Sequence, residues 1–212
     1  MKKLILFVAL VVAGFAANSQ EVDPKSILDK MSAVYKEMPG YEINFVQKII
    51  SESEVIDRLN GQASVAKEKF VVKFQEQHIY CNGPVLWTYL VESQELTISN
   101  FEPEESEIDP TNIYDIYREG FTFEYKRQDS VNGDLVHVIE LISTNEDSDF
   151  TNIIMYIGQK DSYLKGWDLI DYAGAKTAFE VSKFSPNKTF DATFFEFNAE
   201  ENPVQHTEDL RY

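Results

Sequence analysis

After residue 40 the chain alternates apolar and polar residues in short runs separated by only a few turn residues, and that spacing limits what it can fold into. A parallel strand pair needs a crossover of about a dozen residues or more, whereas connections of two to five residues leave only antiparallel neighbours. Runs of this kind cover residues 41–49, 70–75, 78–81, 85–91, 95–99, 121–126, 135–142, 152–157, 167–172 and 176–184. Between them stand turn residues such as Asn82-Gly83-Pro84, Glu92-Ser93-Gln94, Asn132-Gly133 and Ala173-Gly174-Ala175. Residues 55–65 give a weaker signal crossed by Asn60-Gly61, which reads as a strand with a bulge or as a turn. In all, about ten or eleven strands are expected, in a mainly β chain.

Two segments break the pattern. Residues 23–38 open with Asp23 as an N-cap and Pro24 at the first helical position. Ile27, Leu28, Met31, Val34, Tyr35 and Met38 then recur every three or four residues until Pro39-Gly40 stops the helix. Such a helix has one apolar stripe and must lie on an apolar surface. The acidic stretch 101–110 leads into residues 110–119, where Asp109 is a candidate cap and Ile113, Tyr114, Ile116 and Tyr117 make a short helical face ended by Gly120. A helix at that point either plugs an open end of the sheet or covers a cavity. If helices carrying Tyr35, Met38, Tyr114 and Tyr117 cover one face, the space beneath is a packed core or a ligand cavity, and periodicity leaves both readings open.

The first residues look like an address. Lys2 and Lys3, an apolar run over residues 4–15 and the small exit Ala16-Ala17-Asn18-Ser19 have the three parts of a secretory signal peptide, with cleavage expected near residues 17–20. The run is too short for a membrane span of about 20 apolar residues. No repeat and no Pro/Ser-rich linker divides residues 20–212, so a single domain is expected.

The chemistry of the chain excludes more than it suggests. With 36 acidic and 19 basic residues, a formal charge of −17, the surface repels nucleic-acid phosphates and anionic lipids. Cys81 stands alone, so neither an internal disulfide nor a Cys-x-x-Cys redox pair is available. It reads as a buried spectator beside the Asn82-Gly83 turn, or as a reactive thiol. His78, His137 and His206 are scattered, and no metal site is expected. There is no Gly-x-Ser-x-Gly elbow, phosphate loop or dinucleotide fingerprint, and no catalytic residues or cofactor are assigned.

Several segments, in order, resemble the periplasmic outer-membrane lipoprotein carrier family (LolA). "YEINFVQKI" at 41–49 is similar to that family's first strand, and "LNGQASVAKEKFVVKF" at 59–74 to its glycine-led strand pair. "IYCNGPVLWTYLVESQELTIS" at 79–99, with Asn82-Gly83, Trp87 and Tyr89, resembles its aspartate-glycine turn and aromatic pair. "LKGWDLIDYAGAKTAFEVSKF" at 164–184 and "ATFFEFNAEENPV" at 192–204 resemble its late strands and ending. The resemblance implies an incomplete, strongly curved antiparallel β-barrel with a helical lid over an apolar cavity. It implies a periplasmic, monomeric chaperone that receives acylated lipoproteins from an inner-membrane transporter and hands them to an outer-membrane acceptor. A lipid or lipopeptide binder or sensor on the same fold, and a structural or protein-recognition domain with a filled core, are the competing readings.

Inward alternates and stripe positions give the expected site. The cavity wall is assigned to Phe45, Phe70, Phe74, Leu86 and Trp87, together with Phe121, Ile139, Ile154, Leu169 and Phe179. The lid is assigned to Tyr35, Met38, Ile113, Tyr114 and Tyr117. Lys67, standing where the family usually has a lid-holding arginine, is the latch candidate; lysine keeps the charge but lacks the planar fork of donors. Strand parity is open, because a shift of one residue exchanges the faces. Trp87 and Tyr89 share one side of their strand, and Leu86 and Leu90 the other.

Overall fold

A computed structural model describes residues 22–103 and 110–211. The expected signal peptide, its cleavage site and most of the acidic loop, including Asp109, lie outside the described residues. The chain opens with helix α1 (Pro24–Glu37), where Asp23 caps the first turn by accepting the Lys25 and Ser26 backbone N–H groups at 3.0 and 3.2 Å. Leu28, Met31, Ser32 and Tyr35 form its buried stripe.

Eleven strands follow in sequence: β1 (Tyr41–Ser51), β2 (Glu54–Ala66), β3 (Lys69–Lys73), β4 (Gln77–Cys81), β5 (Val85–Leu90), β6 (Glu95–Asn100), β7 (Phe121–Val131), β8 (Asp134–Ser143), β9 (Phe150–Gly158), β10 (Leu164–Asp171) and β11 (Lys176–Ser185). A twelfth, β12 (His206–Asp209), comes after an aromatic tail. All belong to one sheet in the order β12-β6-β5-β4-β3-β2-β1-β11-β10-β9-β8-β7. Every ladder is antiparallel except β12 on β6, which is parallel.

This order corrects the expected barrel. The sheet is open and is not curled into a strongly curved, incomplete cylinder: β12 and β7 are its two edges, with no ladder between them. β7 packs against α1 instead of pairing with a closing strand. The second lid helix is also corrected. Residues 110–115 form turns, and only Ile116–Arg118 make a single 3₁₀ turn.

Both faces of the sheet are covered in its middle. On one face α1 and the 110–118 segment pack over a large core that includes Leu28, Met31, Ile139, Leu141, Ile153 and Met155, all fully buried. On the other, the tail brings Phe195 against Val71 and Tyr80, with Trp87, Phe190 and Phe197 around them. β3 sits between the two layers, which is why Phe70, Val71 and Val72 are apolar in succession rather than alternating.

Candidate functional site

Between α1 and the sheet the large core is not filled. A cavity of about 240 Å³ lies among side chains of α1, β1, β2, β3, β10, β11 and the 110–113 turn. β1 supplies Tyr41, Ile43 and Phe45, three alternate positions on one face of the strand. β2 supplies Ala63 and Val65, β3 supplies Val72, and Phe74 follows directly after β3. Leu164, Trp167 and Leu169 come from β10, and Phe179 and Val181 from β11. Tyr35, Pro110 and Ile113 form the cover. Among the described residues no charged side chain lines this space.

Aromatic rings set its walls. Trp167 stacks on Phe179 with centroids 4.7 Å apart, and Phe45 meets Phe74 edge-on at 5.6 Å. The Phe45 ring stands over Gly61, where any β-carbon would lie 2.4 Å from the end of the ring, so the close approach requires glycine there. The two tyrosine hydroxyls are engaged: Tyr35 accepts the Leu164 N–H at 3.1 Å, and Tyr41 donates to the Pro110 carbonyl at 3.2 Å. Burial pushes the Tyr35 phenol well above its usual range, so it stays neutral. The Trp167 indole N–H is buried with no partner among the described residues.

The cover is held by a polar clamp at its far end. Ser32 of α1 donates to Asp115 Oδ1 at 2.6 Å, and Arg118 donates to the same oxygen at 2.7 Å and to Ser32 Oγ at 3.0 Å. Tyr117 donates to Asp29 Oδ1 at 2.6 Å, and Lys36 pairs with Asp115. For Asp115, burial alone raises the carboxyl pKa, but hydrogen bonds from Lys36, Ser32 and Arg118 outweigh it and hold the group below its ordinary value. Asp29 is lowered as well, chiefly by Lys25 and then by Tyr117.

The expected site residues separate into four places. Phe45, Phe74, Leu169 and Phe179 line the cavity together with Tyr35 and Ile113. Phe70, Leu86, Phe121, Ile139, Met38, Tyr114 and Tyr117 belong to the same core but not to the cavity wall. There Phe70 packs on Phe101, Phe121 stacks on Phe150, and Tyr114 stacks on Tyr35. Trp87 lies on the opposite face, in the cluster under the tail. Ile154 alternates with Ile153 and Met155, which face the core, and so projects from the other side of β9. Lys67 occupies the β2–β3 turn with a left-handed φ of 55° and lines a separate groove with Lys69, Phe190 and Phe195.

Sequence reasoning passed over Tyr41, Ile43 and Trp167, although the parity that selects Phe45 and Leu169 selects them too. Ala63 carried no signal, since a small residue opposite Ile43 reads as neither wall nor core. Among the described residues no group of three or more His, Cys, Asp or Glu side chains could hold a metal ion.

Comparison with curated proteins finds no match. Among solved structures, an uncharacterized conserved protein from Thermus thermophilus is 13% identical over 86% of this chain and 98% of its own, with a TM-score of 0.59, and shares the fold. A LolA superfamily protein from Nitrosomonas europaea is 13% identical over 83% of this chain and 98% of its own, with a TM-score of 0.45. The Mycobacterium tuberculosis lipoprotein LppX is 11% identical over 80% of this chain and 100% of its own, with a TM-score of 0.49. Residues 36–198 match the model of the family described as outer membrane lipoprotein carrier protein LolA, and the chain belongs to that family.

Proposed function

We propose that the protein carries acylated lipoproteins through the periplasm, sheltering their acyl chains in the space between α1 and the sheet. The observation that supports this reading is the apolar cavity lined by Tyr35, Phe45, Phe74, Trp167, Leu169 and Phe179 in the middle of an otherwise dense core. Burial of each methylene contributes about 0.8 kcal/mol, so sheltering one long acyl chain offsets a penalty on the order of ten kcal/mol in water. Transfer from an inner-membrane transporter to an outer-membrane acceptor then needs no chemical step. Membership of a carrier family makes the chain a binding protein and not an enzyme.

The cavity, at about 240 Å³, is smaller than the roughly 300–1,000 Å³ of ordinary ligand pockets. The described state is therefore read as the closed one, and loading requires the cover to move. Pro110 and Ile113 lie on turns rather than on a strand, and they join the body through Tyr41 and the Ser32–Asp115–Arg118 clamp. In this reading Arg118, and not Lys67 in its separate groove, supplies the cation that holds the cover.

Native mass spectrometry of the protein co-expressed with a triacylated lipoprotein tests the proposal. A carrier leaves the cell loaded with one cargo chain. A protein that stays bare while a control carrier is loaded excludes transport, and retained saturable uptake of a fluorescent acyl probe would then point to a lipid binder that does not transport.

A further inference from the structure

β2 is longer than its neighbour. It runs from Glu54 to Ala66, but β3 pairs with it only from Gln62 to Ala66. Among the described residues the first part of the strand, residues 54–61, has a ladder on the β1 side alone, so it presents a free edge inside the sheet rather than at its end. The Arg58 N–H donates instead to the Asp57 side chain at 2.7 Å. Val55 and Ile56 on this stretch are 56% and 64% exposed, and an exposed apolar edge of this kind is a template for pairing with another chain.

The edge begins at a notch. Where β3 stops, an opening of about 540 Å³ is lined by Asn44, Asn60, Gln62, Lys73, Gln75 and His78, with Ser182 beside them. Its remaining walls include Phe45 and Phe74, the same edge-on pair that lines the apolar cavity, so the two spaces share these rings. In a chain with 36 acidic residues, no carboxylate among the described residues lines this notch. His78 Nδ1 is buried without a hydrogen-bond partner, and Lys73 has no ion-pair partner among the described residues, its ammonium lying 5.4 Å from the centre of the Tyr80 ring. Gln62 donates to Asn44 Oδ1 at 3.3 Å and Ser182 to the Asn44 carbonyl at 3.1 Å, which leaves the Lys73 ammonium and the amides of Asn60 and Gln75 as the donors that fit a ligand rich in carbonyl acceptors.

We propose that the notch and the free edge of β2 bind the polypeptide segment that follows the acylated N-terminal residue of the cargo. The inference rests on the carrier reading. With acyl chains in the cavity, the ester and amide carbonyls that join them to the polypeptide emerge past Phe45 and Phe74 into the notch, facing Lys73, His78 and the side-chain amides. The next residues run along residues 54–61 as an added strand, and their main-chain groups pair with the free side of β2. Strand addition recognises backbone, not side chains, so cargoes of different sequence fit the same edge.

The test uses three probes on the purified protein: a fluorescent fatty acid, an N-palmitoyl dodecapeptide of serine, threonine and glutamine, and the same peptide with alternate amides N-methylated. Methylation removes donors for three or more ladder bonds and is expected to weaken binding about tenfold. Arg58→Pro, which removes the edge N–H that an added strand would take over from Asp57, is expected to lower the affinity of the unmethylated peptide to that of the methylated one and to leave the fatty acid unaffected. Equal affinity for the two peptides overturns the proposal without any variant having to fold. Sedimentation showing that the edge is occupied by a second copy of the chain also overturns it. If the fatty acid itself fails to bind, the carrier reading falls first; if it binds while methylation has no effect, only the edge proposal falls.

Discussion

The Tyr117 hydroxyl donates a 2.6 Å hydrogen bond to Asp29, and so ties the segment entering β7 to α1 across 88 residues of sequence. Beside it, Arg118 joins Asp115 to Ser32. Nearer Pro110 the cover meets the body through the hydrogen bond from Tyr41 and the stacking of Tyr114 on Tyr35. The charged clamp thus sits at the β7 end of the cover, and the aromatic contacts at the end that lines the cavity.

Tyr117→Phe keeps the buried ring and removes only the bond to Asp29. Because Asp29 is partly exposed, the loss is expected to cost about 1 kcal/mol of stability. Combined with Arg118→Ala, it should speed release of a fluorescent acyl probe several-fold in stopped-flow displacement, while Lys67→Arg should leave the rate unchanged. A double variant that releases the probe at the parent rate would show that the clamp does not control the cover.

Acid should open the same clamp. The carboxyls of Asp115 and Asp29 are held below their ordinary value of 3.8 in the folded chain, Asp115 by bonds from Lys36, Ser32 and Arg118 that outweigh its burial, Asp29 by Lys25 and Tyr117. A lowered pKa means that the folded state binds protons less readily than the unfolded one. The stabilisation is fully present above pH 3.8 and is lost as the pH falls through the folded values. Probe release should accordingly be flat from about pH 7 to about pH 5 and accelerate only below about pH 4. In Asp115→Asn, where one of the two carboxyls is gone, release at neutral pH should already be fast.

Gly61→Ala places a methyl where the Phe45 ring now stands, 2.4 Å from its tip. The ring has somewhere to go, since it borders the cavity, so the expected cost in stability is only about 1 kcal/mol. Its new position fills the space that the acyl chain would use. Probe affinity should fall several-fold while the urea midpoint moves little; a large loss of stability with unchanged affinity would mean that the strand, not the ring, has shifted.

The helix and most of the hairpins were legible because local chemistry decides them, although β7 runs on to Val131 and β10 begins at Leu164, beyond the runs that alternation marks. Asp23-Pro24 and Pro39-Gly40 frame α1 to within a residue or two, and Glu92-Ser93-Gln94 lies in the connection between β5 and β6. Parity was not legible in β5, because apolar residues occupy both faces of the strand: Leu86 packs toward the large core while Trp87 packs under the tail. A strand covered on two sides loses the contrast from which its orientation could be read. The open sheet had no local signature either, since the parallel pairing of β12 with β6 joins residues more than a hundred positions apart. Residues 110–119 carried a helical stripe, yet the bond that Asp115 accepts from Ser32 and those that Tyr117 and Arg118 donate to α1 favour turns over a continuous helix.

Trp87 and Tyr89 provide the sharpest test of the two-faced sheet. Trp87 packs in the cluster of Val71, Tyr80 and Phe195, and Tyr89 touches Phe197 with ring centroids 5.2 Å apart and donates to the Pro203 carbonyl at 2.8 Å. This layer is separated from the cavity by the thickness of the sheet. Phe195→Ala, at a side chain only 3% exposed, should cost about 3 kcal/mol, and Trp87→Ala about 2 kcal/mol because the indole is half-buried. Neither should change the affinity for an acyl probe under conditions where the protein remains folded. Phe179→Ala, which removes the ring stacked on Trp167, should do the reverse, altering affinity by an amount that its effect on stability does not explain. Denaturant titration and probe binding on the three variants separate the two layers, and a loss of affinity in Trp87→Ala that matches Phe179→Ala would place the aromatic pair in the ligand's path.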